Sequence, residues 1–213
     1  MNRSLAFVTS AAAVAALAAP AAAAPSLSLD APCYYTGSTI SATGNGFPPN
    51  APVQISDPDT GSFSASVTAD PVGTLLTNFT APSLSNAKPA VVKFTATATD
   101  TADATQTASA TFYDVQPGVD ANVNGSLTTP VVWTIAGFGG GRVVYGHWVF
   151  KHKDRKTLKM GTVPGQCGLV KRKVKRLPVT PRVGVWTAQF DLKKKWNATT
   201  KPRVFLKIDV FRQ

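Results

Sequence analysis

Ser41-Ala42-Thr43-Gly44-Asn45-Gly46-Phe47-Pro48-Pro49-Asn50-Ala51-Pro52-Val53 is the stretch that decides the fold. It reads as a strand of polar and small residues closed at a Gly-Phe corner, then a Pro/Asn loop, then the start of another strand. The same order returns later: Val131 to Ile135 closes at Gly137-Phe138, and Gly139-Gly140-Gly141 leads on to Val144. Gly46 to Val53 and Gly137 to Val144 are both seven residues. Further anchors keep step. Gly73 and Phe79 stand six apart, as do Gly184 and Phe190, and the steps from Phe79 to Phe94 and from Phe190 to Phe205 are both fifteen. The spacing predicts one scaffold used twice.

Around these anchors the chain is a series of short strand patterns divided by turn signals. In the first half strands are expected over 26–30, 39–43, 52–56, 62–68, 74–80, 92–99 and 105–115, with Asp57-Pro58-Asp59-Thr60-Gly61 and Asp70-Pro71-Val72-Gly73 as turns. In the second half they are expected over 121–127, 131–135, 143–150, 157–160, 169–177, 185–190 and 204–210. Lys151 to Lys156 reads as a charged hairpin tip and Lys193-Lys194-Lys195 as a polar loop. No helical period emerges. About seven strands in each half predict an all-β chain of two tandem immunoglobulin-like β-sandwich domains. The boundary is set at Gln116-Pro117-Gly118, giving domains over 24–116 and 119–213. The Cys–Trp–Cys pattern of antibody domains is absent. The second copy spends extra residues between Phe138 and Phe190, and is expected to stop one strand short of the first.

Residues 1–23 carry Arg3, an apolar Ala-rich run from Leu5 to Ala19, Pro20 and Ala21-Ala22-Ala23, which predicts a signal peptide cleaved after Ala23. No later run is long and apolar enough for a transmembrane helix. The mature chain is therefore expected to be secreted or cell-wall associated. The glycosylation triplets at Asn78, Asn124 and Asn197 are expected to be unused, because the leader looks bacterial.

Charge is unevenly placed. Residues 25–117 hold two lysines against seven aspartates, a net −5, whereas residues 118–213 hold nineteen Lys and Arg against four aspartates, a net +15. The basic residues concentrate at Lys151, Lys153, Arg155 and Lys156, at Lys171, Arg172, Lys173, Lys175 and Arg176, and at Lys193, Lys194 and Lys195. Such clusters suit an anionic cell-wall polymer or glycan; the plainer alternative is a solvated face and lysines that guard an exposed strand edge. No specific nucleic acid is expected: Tyr145, Trp148 and Trp186 fall in strand patterns that point to core packing. A third possibility is that the acidic half neutralises the basic half, giving self-association without an external ligand.

Cys33 and Cys167 are the two cysteines, one per expected domain. They either pair or remain as two thiols. Alternating strand directions put both of their loops at the junction, so a bridge there is geometrically open. No cofactor and no metal site are expected. His147 and His152 are an odd number apart, there is no Glu, and Asp57 with Asp59 fits a simple turn better than a calcium loop.

Two resemblances follow from these motifs. The Ser41–Val53 corner resembles immunoglobulin-like repeats of secreted actinobacterial proteins. Gly137-Phe138, Val144-Tyr145, His147, Gly165, Cys167-Gly168 and Gly184-Val185-Trp186 resemble the C-terminal module of uncharacterised secreted proteins of that phylum. This implies a β-sandwich outside the cell and brings no functional residues. Gly146-His147 with Gln166-Cys167-Gly168 is also similar to the His and Cys signature of L,D-transpeptidases. It departs from that signature at Gly165 and Gln166, where the family has its second His and a Gly. The reading carried forward is a non-enzymatic binding or structural module, with a Cys-dependent peptidoglycan-modifying enzyme as the alternative.

Overall fold

The computed structural model describes residues 24–84, 88–121 and 126–211; the expected signal peptide and residues 122–125 of the expected strand over 121–127 lie outside them. The described chain is all-β, with fifteen strands. The amino-terminal half contains β1 (Ser26–Leu29), β2 (Cys33–Tyr35), β3 (Thr39–Asn45), β4 (Pro52–Ser56), β5 (Ser64–Thr68), β6 (Leu75–Thr80), β7 (Ala90–Asp100) and β8 (Thr107–Gln116). The carboxy-terminal half contains β9 (Gly118–Ala121), β10 (Pro130–Ala136), β11 (Val143–Phe150), β12 (Lys153–Thr162), β13 (Val170–Lys175), β14 (Gly184–Asp191) and β15 (Arg203–Val210).

In the first half a three-stranded sheet, β1-β3-β6, faces a five-stranded sheet, β2-β8-β7-β4-β5. Alternation drives this arrangement. Along β7, Phe94, Ala96 and Ala98 are buried while Lys93 is exposed and the intervening threonines lie half-buried. The small alanines let the sheets close around Phe112, which meets Tyr34, Phe63, Phe79 and Phe94 at ring-centroid distances of 5.6–6.3 Å. The chain crosses between sheets at Asp30 to Pro32. There the Tyr34 hydroxyl donates to Asp30 Oδ1 at 2.6 Å, and the same oxygen accepts the Ser41 amide at 2.9 Å.

In the second half β13-β10-β9 faces β12-β11-β14-β15. Its core is larger-grained: Trp133, Trp148 and Phe190 meet within 5.2–6.0 Å, and Phe150 stacks on Trp186 at 4.7 Å. Two of the buried indoles are satisfied by backbone, Trp148 Nε1 donating to the Arg176 carbonyl and Trp186 Nε1 to that of Arg182, both at 2.9 Å, whereas Trp133 Nε1 is buried without a hydrogen-bond partner among the described residues.

Strand order repeats between the halves. β9, β10, β11, β12, β13, β14 and β15 occupy the places of β1, β3, β4, β5, β6, β7 and β8. The Gly-Phe corners match: Gly46 and Gly137 both hold positive φ, 81° and 106°, after β3 and β10, and the following Phe47 and Phe138 are buried. The later anchors do not. Phe79 lies on β6 in the three-stranded sheet, whereas Phe190 lies on β14, the counterpart of β7. The shared intervals of six and fifteen residues join non-equivalent strands. The expectation of a missing last strand falls with them, since β15 stands where β8 does. The additional strand is β2, read from sequence as a turn, which lies parallel to β8 with Cys33 opposite Tyr113 and Tyr35 opposite Val115.

Pro117 alone separates β8 from β9. Around it the halves are fastened three ways. Cys33 and Cys167 form a disulfide with Cα atoms 5.9 Å apart. Val115, Ala136 and Cys167 are buried together, with Val91, Tyr113 and Leu169 packed against them. The Tyr35 hydroxyl donates to the Gly137 carbonyl at 3.1 Å. The loop carrying Cys167 is held by Gly140, whose amide donates to the Gln166 carbonyl at 2.8 Å; a Cβ on Gly140 would stand 1.9 Å from the Gly165 carbonyl oxygen. Gly140→Ala is therefore expected to displace that loop and lower stability by about 2 kcal/mol, read from the denaturant midpoint, with slower closure of the disulfide on reoxidation.

Asp114 is wholly buried on β8 beneath β2, where the Thr36 hydroxyl donates to it at 3.3 Å. Burial outweighs that bond and pushes its carboxyl up to about 6. The folded state thus favours the neutral acid. Stability is expected to rise by about 1 kcal/mol as pH falls from 7 to 5, through the folded value, and this contribution is complete below the ordinary value of 3.8 that holds in the unfolded chain. At lower pH the gain reverses. Asp30, held below the usual range by the Tyr34 hydroxyl, and Asp103, held there by Thr105, then protonate. Asp114→Asn should abolish the rise and stabilise the chain at neutral pH by about 2 kcal/mol, both read from denaturation at several pH values.

Candidate functional site

β12 and β13 are edge strands of different sheets, and they lie side by side along one open edge of the carboxy-terminal sandwich. Lys153, Arg155, Lys156 and Lys159 come from β12, and Lys171, Arg172, Lys173 and Lys175 from β13; all eight are exposed. Register sorts them by direction. Lys171 and Lys173 pair with Thr134 and Val132 on the outer face of the three-stranded sheet. Arg172 pairs with the buried Trp133, and Lys156 with the buried Trp148, so these two cations point along the open edge between the sheets. Inward-pointing charge of this kind disfavours pairing with a further strand.

The hairpin tip is smaller than the sequence suggested. It consists of Lys151 and His152, both at positive φ, 48° and 58°. Lys153, Asp154, Arg155 and Lys156 belong to β12, because an edge strand exposed on both faces needs no alternation. Arg155 is the bulged residue where register shifts between Trp148 and Val149. Lys151 turns back over the Phe150 ring, its Nζ 5.7 Å from the centroid. Lys159 extends the basic edge and was missed, although Lys156-Thr157-Leu158-Lys159 continues the same strand. Arg176 follows β13 directly. Among the described residues, no ion pair within 4 Å engages any of the eight edge cations; the pairs are Lys88 with Asp120 and His147 with Asp154 and Asp191.

Lys193, Lys194 and Lys195 are placed elsewhere. Their loop, between β14 and β15, covers the outer face of the four-stranded sheet and closes over His147. The imidazole is fully buried: Nε2 lies 3.0 Å from the Lys193 carbonyl and Nδ1 2.8 Å from Thr157 Oγ1. A carbonyl can only accept, so Nε2 carries a proton. Asp154 and Asp191 approach the ring to 3.5 Å on either side. Asp191 also accepts from Gln189 at 2.7 Å and from the Lys193 amide at 2.8 Å, while Trp196 Nε1 donates to Gln189 at 3.3 Å. This network anchors the lysine loop to the sheet. Its members come from three strands and a loop, and no local sequence spacing announces them.

The thiol–imidazole pair suggested by His147 and Cys167 is not assembled. The Cys167 sulfur is bonded to Cys33, and both ring nitrogens of His147 face Thr157 and Lys193. Asp57 is occupied in its own turn, where its side chain accepts from the Asp59 amide at 3.2 Å and from the Thr60 hydroxyl.

No family model matches the chain. No curated protein matches it. Among solved structures it is similar to a tetra-tandem repeat from the extending region of a large adhesion protein, with TM-score 0.30 and 15% identity over 87% of this chain and 49% of that one. It is also similar to red sea bream transglutaminase, with TM-score 0.30 and 12% identity over 88% of this chain and 31% of that one. A third likeness is to the human OSCAR ligand-binding domain, with TM-score 0.28 and 9% identity over 88% of this chain and 98% of that one. The chain thus spans about half the length of the first and about a third of the second. Among the described residues no helix is long and apolar enough to cross a membrane.

Proposed function

We propose that the chain is a secreted, envelope-associated, non-enzymatic binding module. On this reading it is built of two immunoglobulin-like domains, 24–116 and 119–213, and it lays the basic edge of the second against an anionic wall polymer or acidic glycan. The observation that carries this is a contrast between equivalent edges. β5 and β6 occupy in the first sandwich the places of β12 and β13 in the second, and they contain no charged residue. β12 and β13 contain eight cations against one aspartate. If lysines were present only to guard an open edge, both copies would need them. Among the described residues, none of the eight cations has an acidic partner within 4 Å, which leaves their field free for a ligand.

Chromatography on an immobilised anionic wall polymer or on heparin tests the reading. Retention is expected at low salt, with affinity falling steadily as salt rises, because displaced counterions dominate such binding. Failure to bind at low salt would overturn it.

A further inference from the structure

We propose that the groove where the two sandwiches meet seats a single carboxylate-bearing sugar residue. The proposal rests on the acidic-glycan reading above and names one of its contact points. The groove has a volume of about 620 Å³ and is lined by Tyr35, Pro117, Lys201, Pro202, Arg203 and Val204. That is the size of a small-molecule site, and such sites favour the joints between folded units.

Its chemistry has two parts. Tyr35 supplies an aromatic surface. Its hydroxyl is pinned to the Gly137 carbonyl across the junction, yet 46% of the residue remains exposed. A ring held this way loses little freedom on binding, and the C–H face of a pyranose packs on aromatic and proline surfaces. Lys201 and Arg203 supply charge. Both are exposed, and among the described residues neither has an acidic partner within 4 Å. Asp191, opposite Arg203 in the ladder, is already occupied by Gln189 and the Lys193 amide. An arginine fork matches a carboxylate in plane and spacing. A neutral sugar would leave both cations unused, and a free anion would leave the tyrosine unused. A sugar acid uses both.

The site joins residues separated by most of the chain, and Tyr35 lies two residues from Cys33 on β2, so the disulfide holds its wall in place.

The test is calorimetric titration of the whole oxidised chain with a short oligogalacturonate, the neutral oligogalactose of equal length and galactose phosphate. The uronate is expected to bind at least about tenfold more tightly than either comparator. Tyr35→Ala and Arg203→Gln should each weaken it about tenfold, while Tyr35→Phe, which keeps the ring, stays within about twofold. Arg203 is exposed, so its variant reports on binding even if Tyr35→Ala disturbs the junction. Substituting Lys171, Lys173 and Lys175 by glutamine should lower retention on polymer and leave the short uronate unaffected. Equal binding of acid and neutral sugars, tighter binding of the phosphate, no binding, or indifference to Arg203→Gln overturns the groove. If polymer retention persists and still depends on β13, only the groove is lost.

Discussion

Replacing Cys33 and Cys167 together with serine is expected to lower the stability of the folded chain by about 4 kcal/mol. The bridge spans 134 residues of sequence, so it closes a loop that takes in most strands of both halves. Closing so long a loop removes a large share of the disorder available to the unfolded chain, and the loss grows with the logarithm of loop length. Both cysteines sit in a small apolar cluster with Val115 and Ala136, so the serine hydroxyls that replace sulfur there add a desolvation cost of the same sign. Chemical denaturation of the double variant, compared with the oxidised chain, measures the effect. A single transition is expected for the oxidised chain. Separate transitions for the two sandwiches are expected for the variant, since Pro117, the small Val115–Ala136 contact and the Tyr35 hydrogen bond are then the remaining ties described at the junction. An unchanged midpoint would refute the claim that the bridge fastens the halves.

The second large effect concerns β13. Substituting Lys171, Lys173 and Lys175 by glutamine removes every outward-facing cation of that strand and leaves the inward residues Val170 and Val174 in place. Each lysine near an anionic surface contributes roughly 1 kcal/mol, so the three together should cost about a hundredfold in affinity for polymer at low salt. The slope of log affinity against log salt should fall by about two, because fewer counterions are displaced. The same substitutions in Lys193, Lys194 and Lys195, on a different face, are expected to change retention far less. If the loop triple mutant loses as much as the strand triple mutant, charge total rather than the edge governs binding. Neither triple should unfold the protein, since all six side chains are exposed.

Much of the fold was legible because alternation is a direct record of burial. Val143–Phe150 and Pro52–Ser56 were read to the residue, and the face assignment of β15, with Ile208 and Val210 inward and Phe205 outward, follows from period two alone. What was missed has physical causes. β2 is three residues long, too short to display a period, and its place beside β8 is set by the Asp30–Tyr34 clamp. The first part of β12, Lys153 to Lys156, was taken for a hairpin tip because an open edge exposes both faces, and charge then replaces alternation. The turn at Lys151 and His152 adopts positive φ without glycine, so the usual marker was absent. The recurring phenylalanine intervals misled because they join non-equivalent strands, β6 to β7 in one copy and β14 to β15 in the other, whose spans happen to be equal. The basic clusters were legible by composition; that β12 and β13 share an edge and that Lys193 to Lys195 do not join them required the sheet order.

The route of the chain through the two sandwiches has a mechanical consequence. Ser26 of β1 pairs with Asn45 at the end of β3, remote from the junction, and Val210 of β15 pairs with Gly184 at the start of β14, remote from it on the other side. Tension applied to these positions would drag β1 along β3 and β15 along β14, loading each ladder of hydrogen bonds in shear so that its rungs resist together. Between them the force must cross one proline and a covalent bridge. A polymer held on the second sandwich and a tether on the first would therefore pull the protein along its strongest direction.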